Sequence, residues 1–138
     1  MRIMALDLGT KRIGVAMSDE LFLTAQGADT IYRISLDEDL AKIKKAVEDN
    51  GVGEIVLGLP INMNGTHGPK AKEVAEFMNS LAKAVTIPVK TWDERLTTVQ
   101  AQNVLLEADV SRAKRKKSID RIAAQFILQS YLDSRKRG

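Results

Sequence analysis

The sequence predicts an α/β fold, a mixed β-sheet with helices packed on it. Three observations carry that reading. The first 34 residues read as successive strands, and beyond them strand-like runs alternate with amphipathic helical stretches. Two of the runs are apolar enough to need cover on both faces of a sheet. At 138 residues the chain is expected to be a single domain, 1–138, that buries about two-thirds of its unfolded surface.

The first strand is Arg2-Ile3-Met4-Ala5-Leu6-Asp7, four apolar residues closed by a carboxylate. A Gly9-Thr10 turn leads to a second strand over 13–18, and a weaker strand follows over 28–34. Leu36, Leu40, Ile43 and Val47 share one face of a helix expected over 37–49, which Gly51 should stop. A buried strand over 54–59 precedes an Asn- and Gly-rich loop over 60–69. The next helix, over 70–85, carries a stripe of Ala71, Val74, Ala75, Met78, Leu81, Ala82 and Val85. A short strand spans 87–92, and Thr97-x-x-Gln100 is a capping box opening a helix to about residue 108. The last helix, over 118–134, turns Ile119, Ile122, Ala123, Phe126, Ile127, Ser130 and Tyr131 inward.

Composition removes several classes of function. The chain has no cysteine, so disulfides, thiolate metal sites and cysteine nucleophiles are excluded. No apolar run reaches the roughly 18 residues of a membrane span, and no signal-peptide core opens the chain. The expectation is a cytoplasmic protein without membrane contact. Net charge is only +3, but Arg112, Lys114, Arg115, Lys116, Lys117 and Arg121 fall within ten residues. Such a cluster is the footprint of phosphate-backbone binding, or else a solvated loop. With three Phe, two Tyr and one Trp, base-stacking platforms are not expected, so contacts should be with phosphates and shape.

The chemistry is read from acidic residues. Asp7 lies where a central strand leaves the sheet, the edge at which open α/β sheets bind ligands. It could equally open the following turn. Asp93-Glu94-Arg95 follows a later strand in the same way, or favours the N-terminus of the capped helix. Asp120 shares a helix face with Ala124, Ile127 and Tyr131 and so borders the apolar stripe, although a role near the helix start would also suit it. Three carboxylates from three elements can cage Mg²⁺ or Mn²⁺, which prefer oxygen ligands. Two such ions about 4 Å apart clamp both oxygens of an in-line phosphodiester displacement, with no side-chain nucleophile required. Gly9, Thr10 and Lys11, with Arg12 beside them, could present donors and positive charge to a phosphate. Asn62 and Asn64 lie on the same expected edge, or make a plain Asn-Gly turn. Arg95 could stabilise transition-state charge or pair with Asp93. His67, in a Gly-rich loop, is expected to be merely exposed.

Four stretches together resemble the YqgF/RuvX family, the pre-16S rRNA nucleases also described as Holliday-junction-resolvase-like. They are Asp7-Leu-Gly-Thr-Lys-Arg-Ile-Gly14, Gly58-Leu-Pro-Ile-Asn-Met-Asn-Gly-Thr66, Trp92-Asp-Glu-Arg-Leu-Thr-Thr98 and Lys117-Ser-Ile-Asp-Arg-Ile-Ala-Ala124. They occur in order over nearly the whole chain. The resemblance implies an RNase H-like fold, a five-stranded mixed sheet with its first three strands antiparallel. It also implies a metal-dependent endonuclease that trims the 5′ end of 16S rRNA precursor, with ribosomal particles as possible partners. Its first-strand aspartate falls on Asp7, its last-helix aspartate on Asp120, and its middle acid in Asp93-Glu94, with Glu94 preferred. Related RuvC-type resolvases carry a glutamate at the end of the strand that here reads Val56-Leu57-Gly58-Leu59, and this chain has none there.

Three other functions fit less well. Resolution of branched DNA usually needs a symmetric dimer, whereas the expectation here is a monomer or weak dimer. A non-catalytic RNA-binding assembly factor would explain the absent fourth carboxylate but not the other three. An actin-like ATPase binds nucleotide between two such domains, and 138 residues supply one.

Overall fold

The computed structural model describes residues 1–60, 65, 67–93 and 112–137, with side chains of the last segment described from 122 to 135. The elements are β1 (Arg2–Leu8), β2 (Arg12–Ser18), β3 (Ala25–Gly27), β4 (Ile31–Tyr32), α1 (Leu36–Asn50), β5 (Val52–Leu59), α2 (Pro69–Ala84), β6 (Val89–Asp93) and α3 (Arg112–Arg137). The helix expected over 97–108 lies outside the described residues. In the sheet the order is β3-β2-β1-β5-β6, with β4 also paired to β2. β1 and β2 are antiparallel, whereas β1, β5 and β6 run parallel. The expected mixed sheet is therefore present, with the apolar β1 at its centre. No helix among the described residues is long and apolar enough to cross a membrane.

The third strand differs from expectation. It is two short pieces, β3 and β4, rather than one run over 28–34. Ala16 faces Gly27 and Ile13 faces Ile31, so one side of the ladder carries an extra residue. That is the signature of a bulge. Its consequence is a change of face: Ile31, rather than Thr30, sits opposite Ile13 and packs on the core.

Side chains alternate along the strands and divide the core into two layers. Met4, Leu6, Leu8, Ile13, Val15, Ile55 and Leu57 pack under α1 and α2. Ile3, Ala5, Ala16 and Val56 pack under α3. On α1, Ser35 caps the helix by accepting the Glu38 N–H, and Asp37, Glu38 and Asp39 favour the positive end. Gly51, at φ 63°, closes it in the left-handed conformation that glycine adopts without cost. Ile43 and Val47 are buried as expected, but Leu36, at the exposed first position, is not.

On α2 the buried residues are Ala71, Val74, Phe77 and Leu81. Ala75 and Ala82, expected in this stripe, are exposed. Phe77 lies three residues after Val74 and four before Leu81, so it takes the centre of the stripe with far more apolar area than an alanine. On α3 the inward face is Ala123, Ala124, Ile127, Leu128, Tyr131 and Leu132, while Ile122, Phe126 and Ser130 are half-buried. The face is turned slightly from the expected one, bringing Ala124, Leu128 and Leu132 onto the sheet. The helix also begins at Arg112, so the basic run is helical rather than a loop.

Polar contacts tie the far end of α3 to the sheet. Tyr131 donates its hydroxyl to Glu54 Oε1 at 2.6 Å. Lys90 Nζ lies 3.0 Å from the same oxygen, and Arg135 Nη1 lies 3.1 Å from Glu54 Oε2. Burial alone would push the Glu54 carboxyl up, but the Tyr131 hydrogen bond and the Lys90 and Arg135 charges outweigh it and hold it below its ordinary 4.5. Trp92 adds an edge-on contact with Tyr131, ring centroids 5.6 Å apart, and donates Nε1–H to Ser130 Oγ at 3.1 Å. At the sheet edge, Gln129 Oε1 accepts the Ala25 N–H at 3.2 Å, and Gln125 Nε2 donates to the Ala25 carbonyl at 3.4 Å.

Two expected outcomes follow from this packing. Because Glu54 is held below 4.5 in the folded state, its contribution is complete above that pH and is lost as pH falls through the lower folded value. Glu54→Gln should therefore lower stability at neutral pH by about 1–3 kcal/mol and flatten its decline in acid, read by thermal unfolding at several pH values. Ala124→Leu should cost about 1–3 kcal/mol by overpacking the α3 layer, read by urea unfolding.

Candidate active site

Asp7 is the penultimate residue of the central strand. Alternation places it with Ile3 and Ala5, on the face beneath α3. Its cross-strand partner on β2 is Gly14. On the other side Leu6 pairs with Leu57, so the next position of β5 is Gly58, itself opposite Trp92. Both glycines are buried, and neither puts a side chain beside the carboxylate. Asp7 is half-buried, and among the described residues no donor caps it. A carboxylate left in that condition is a ready ligand for a cation.

Asp93 ends β6 opposite Leu59. Val89 packs in the α1–α2 layer and Trp92 in the α3 layer, so alternation sends Asp93 to the α1–α2 side, away from the face of Asp7. Glu94 and Arg95 lie outside the described residues. Asp120 is in α3, one helical turn before the fully buried Ala124, which puts its position on the helix face turned toward the sheet. Its side chain is outside the described set, as are those of Arg112, Lys114, Arg115, Lys116 and Lys117. Among the described side chains no three acidic or histidine groups form a metal-sized cluster.

The turn after β1 is described in full. Gly9 N–H donates to the Arg12 carbonyl at 2.9 Å, so that donor is spent within the turn. A side chain at position 9 would come to 2.5 Å from that same carbonyl, which explains the glycine. Thr10 and Lys11 are exposed, and Arg12 is half-buried opposite Tyr32. Asn62 and Asn64 lie outside the described residues, while Gly65 has the positive φ, 85°, that an Asn-Gly turn expects. His67 is exposed, as expected.

Sequence reasoning missed Arg33 and Asp39, which fasten this turn to the helices. Arg33 Nη1 donates to the Gly9 carbonyl at 2.8 Å, and Arg33 Nε to Asp39 Oδ2 at 3.3 Å. The available signal was slight. Asp39 reads as one of three dipole-favouring acids at the start of a helix, and only its burial separates it from the others.

Comparison with known proteins bears on this geometry. The family model described as RuvX, Holliday junction resolvase, matches residues 1–134. Several relatives carry the name "Putative pre-16S rRNA nuclease". That of Myxococcus xanthus is 54% identical over 97% of this chain and 89% of its own length. That of Thermoanaerobacter pseudethanolicus is 56% identical over 99% of both chains. Among solved structures, Thermus thermophilus RuvC in complex with a Holliday junction substrate aligns with a TM-score of 0.62 at 13% identity, covering 99% of this chain and 96% of that one. The fowlpox virus resolvase bound to Holliday junction DNA aligns at 0.56 and 16% identity, covering 97% and 98%. These two likenesses speak to the fold alone, the RNase H-like arrangement of a mixed sheet flanked by helices. With a family model spanning residues 1–134 and relatives more than half identical over 89–99% of their own length, the chain belongs to the RuvX family of resolvase-like nucleases.

Proposed function

We propose that this protein is a metal-dependent endonuclease that hydrolyses phosphodiester bonds in structured RNA, with the 5′ end of pre-16S rRNA as its substrate. Asp7 carries the reading. It is a half-buried carboxylate at the end of the central strand, flanked by two glycines and capped by no donor among the described residues. The names of relatives more than half identical support RNA as the substrate. Ribosomal particles would be the setting and the cytoplasm the location.

The donor chemistry fits Mg²⁺ or Mn²⁺. Asp7, Glu94 and Asp120 would hold the ion, all through hard oxygen atoms. Glu94 is preferred to Asp93 because Asp93 leaves the strand on the opposite face from Asp7. When bound, such an ion supplies Lewis-acid stabilisation of phosphoryl charge and a water of lowered pKa. The chain's own residues do the positioning. Gly14 and Gly58 leave room over Asp7 for the phosphodiester, while Thr10, Lys11 and Arg12 meet its backbone. The helical run Arg112, Lys114, Arg115, Lys116 and Lys117 guides the strand inward, with Asn62, Asn64 and Arg95 completing the contact surface. Cleavage of branched DNA is the second reading, favoured by the description of the matching family model.

Three measurements test this. A 16S precursor leader RNA and a four-way DNA junction are incubated side by side with Mg²⁺, Mn²⁺ or chelator. RNA cutting should require the metal and fall by roughly a hundredfold or more in Asp7→Asn, the scale of losing several kcal/mol of charge stabilisation. Junction cutting by a dimer of measured mass would instead make this a resolvase. Reversing the charge of Lys114, Arg115, Lys116 and Lys117 should weaken RNA binding and reduce the salt slope by about one counterion per lost phosphate contact. An unchanged slope would mean that the run touches only solvent.

A further inference from the structure

Asp39 is the only charged residue fully buried among the described residues, at 1% exposure, and the chemistry proposed above does not use it. Its Oδ1 accepts the Ile34 N–H at 3.0 Å and its Oδ2 accepts Arg33 Nε–H at 3.3 Å. Arg33 then reaches the turn after β1 twice. Its Nη1 donates to the Gly9 carbonyl at 2.8 Å, and its backbone N–H donates to the Lys11 carbonyl at 2.9 Å. The guanidinium also lies over the Phe77 ring of α2, 5.9 Å from its centroid. Arg33 therefore holds the carbonyls on both sides of Thr10, Gly9 through its side chain and Lys11 through its backbone, and that side chain is aimed by a buried carboxylate.

A buried ion pair is a poor device for stability, because desolvation cancels much of its attraction. It is a good device for direction. The peptide units here are trans, and in a planar trans unit the N–H points opposite to the carbonyl. Drawing the Gly9 carbonyl toward Arg33, on the α1–α2 side, turns the Thr10 N–H the other way, to the side of the sheet that Asp7 faces. We infer that Arg33 and Asp39 are positioning residues that aim the Thr10 backbone N–H at a phosphate oxygen of the substrate beside the Asp7 site. This rests on the nuclease reading above. Neither residue touches substrate; each acts through the turn.

The test uses Arg33→Lys, which lacks the planar fork whose separate nitrogens meet the carboxylate and the Gly9 carbonyl, and Asp39→Asn, which keeps shape but loses charge. Gly9→Ala displaces the same turn without touching the pair, since its Cβ would meet the Arg12 carbonyl at 2.5 Å. All three should lower kcat on the leader RNA about ten- to a hundredfold, the scale of a misplaced catalytic contact. Affinity for uncut RNA, measured with each change added to Asp7→Asn, should move less than about twofold, because remote basic contacts dominate it. By NMR the Thr10 and Lys11 amide signals should shift in each variant while those of Ile55 and Leu57 stay in place, and circular dichroism at the assay temperature should match wild type. If wild type cuts RNA and the variants keep its kcat, or lose binding in the same proportion, the positioning role is wrong while the nuclease reading stands. If wild type cuts no nucleic acid, both fall.

Discussion

The close approach of α3 to the centre of the sheet is the constraint on which this molecule depends. Ala5 and Ala16 on the strands and Ala124 on the helix are fully buried in one packed cluster. Small residues at such a contact let the backbones come nearer than leucine or phenylalanine would allow. The same lane continues through Gly14 and Gly58 to Asp7, and the same helix carries position 120 one turn before Ala124. The separation between strand position 7 and helix position 120 is therefore a packing quantity, set by alanines and glycines that do no chemistry.

Glu54 serves this arrangement from the opposite end. It pairs in register with Ile3, four residues before Asp7 on the adjacent strand, or about 13 Å along it. Its bonds to Tyr131, Lys90 and Arg135 fix the C-terminal half of α3, and the alanines fix its middle. From these two points the same helix runs on through its N-terminal half. That half bears both the expected ligand and the expected phosphate-binding charges.

Much of this was legible in the sequence for a plain reason: burial on two faces forces apolar runs, and these located β1, β2 and β5. Asp7 stood out because a carboxylate interrupts such a run at its end. The third strand was misjudged because a bulge shifts alternation by one residue, and no composition marks the shift. Phe77 was overlooked on α2 because Ala75 and Ala82 fit the helical period of the stripe equally well yet offer less area to bury. Arg33 and Asp39 escaped notice because six residues apart, across a strand end and a helix start, they share no period. Only the folded chain sets Asp39 against Arg33 and Arg33 against the Gly9 carbonyl. The Asp93 and Glu94 ambiguity could be narrowed only when register to β5 assigned Asp93 a face.

The two glutamines at the edge of the sheet have a consequence beyond holding α3. A sheet edge offers unpaired N–H and C=O groups to any passing extended chain. Here Gln125 and Gln129, one helical turn apart, occupy the outward-facing donor and acceptor of Ala25, and Gln129 also reaches the Leu23 carbonyl at 3.5 Å. Amide side chains thus imitate the strand that is missing. A second molecule seeking to lengthen the sheet along Ala25 would first have to displace them, so the last helix guards this stretch of the β3 edge.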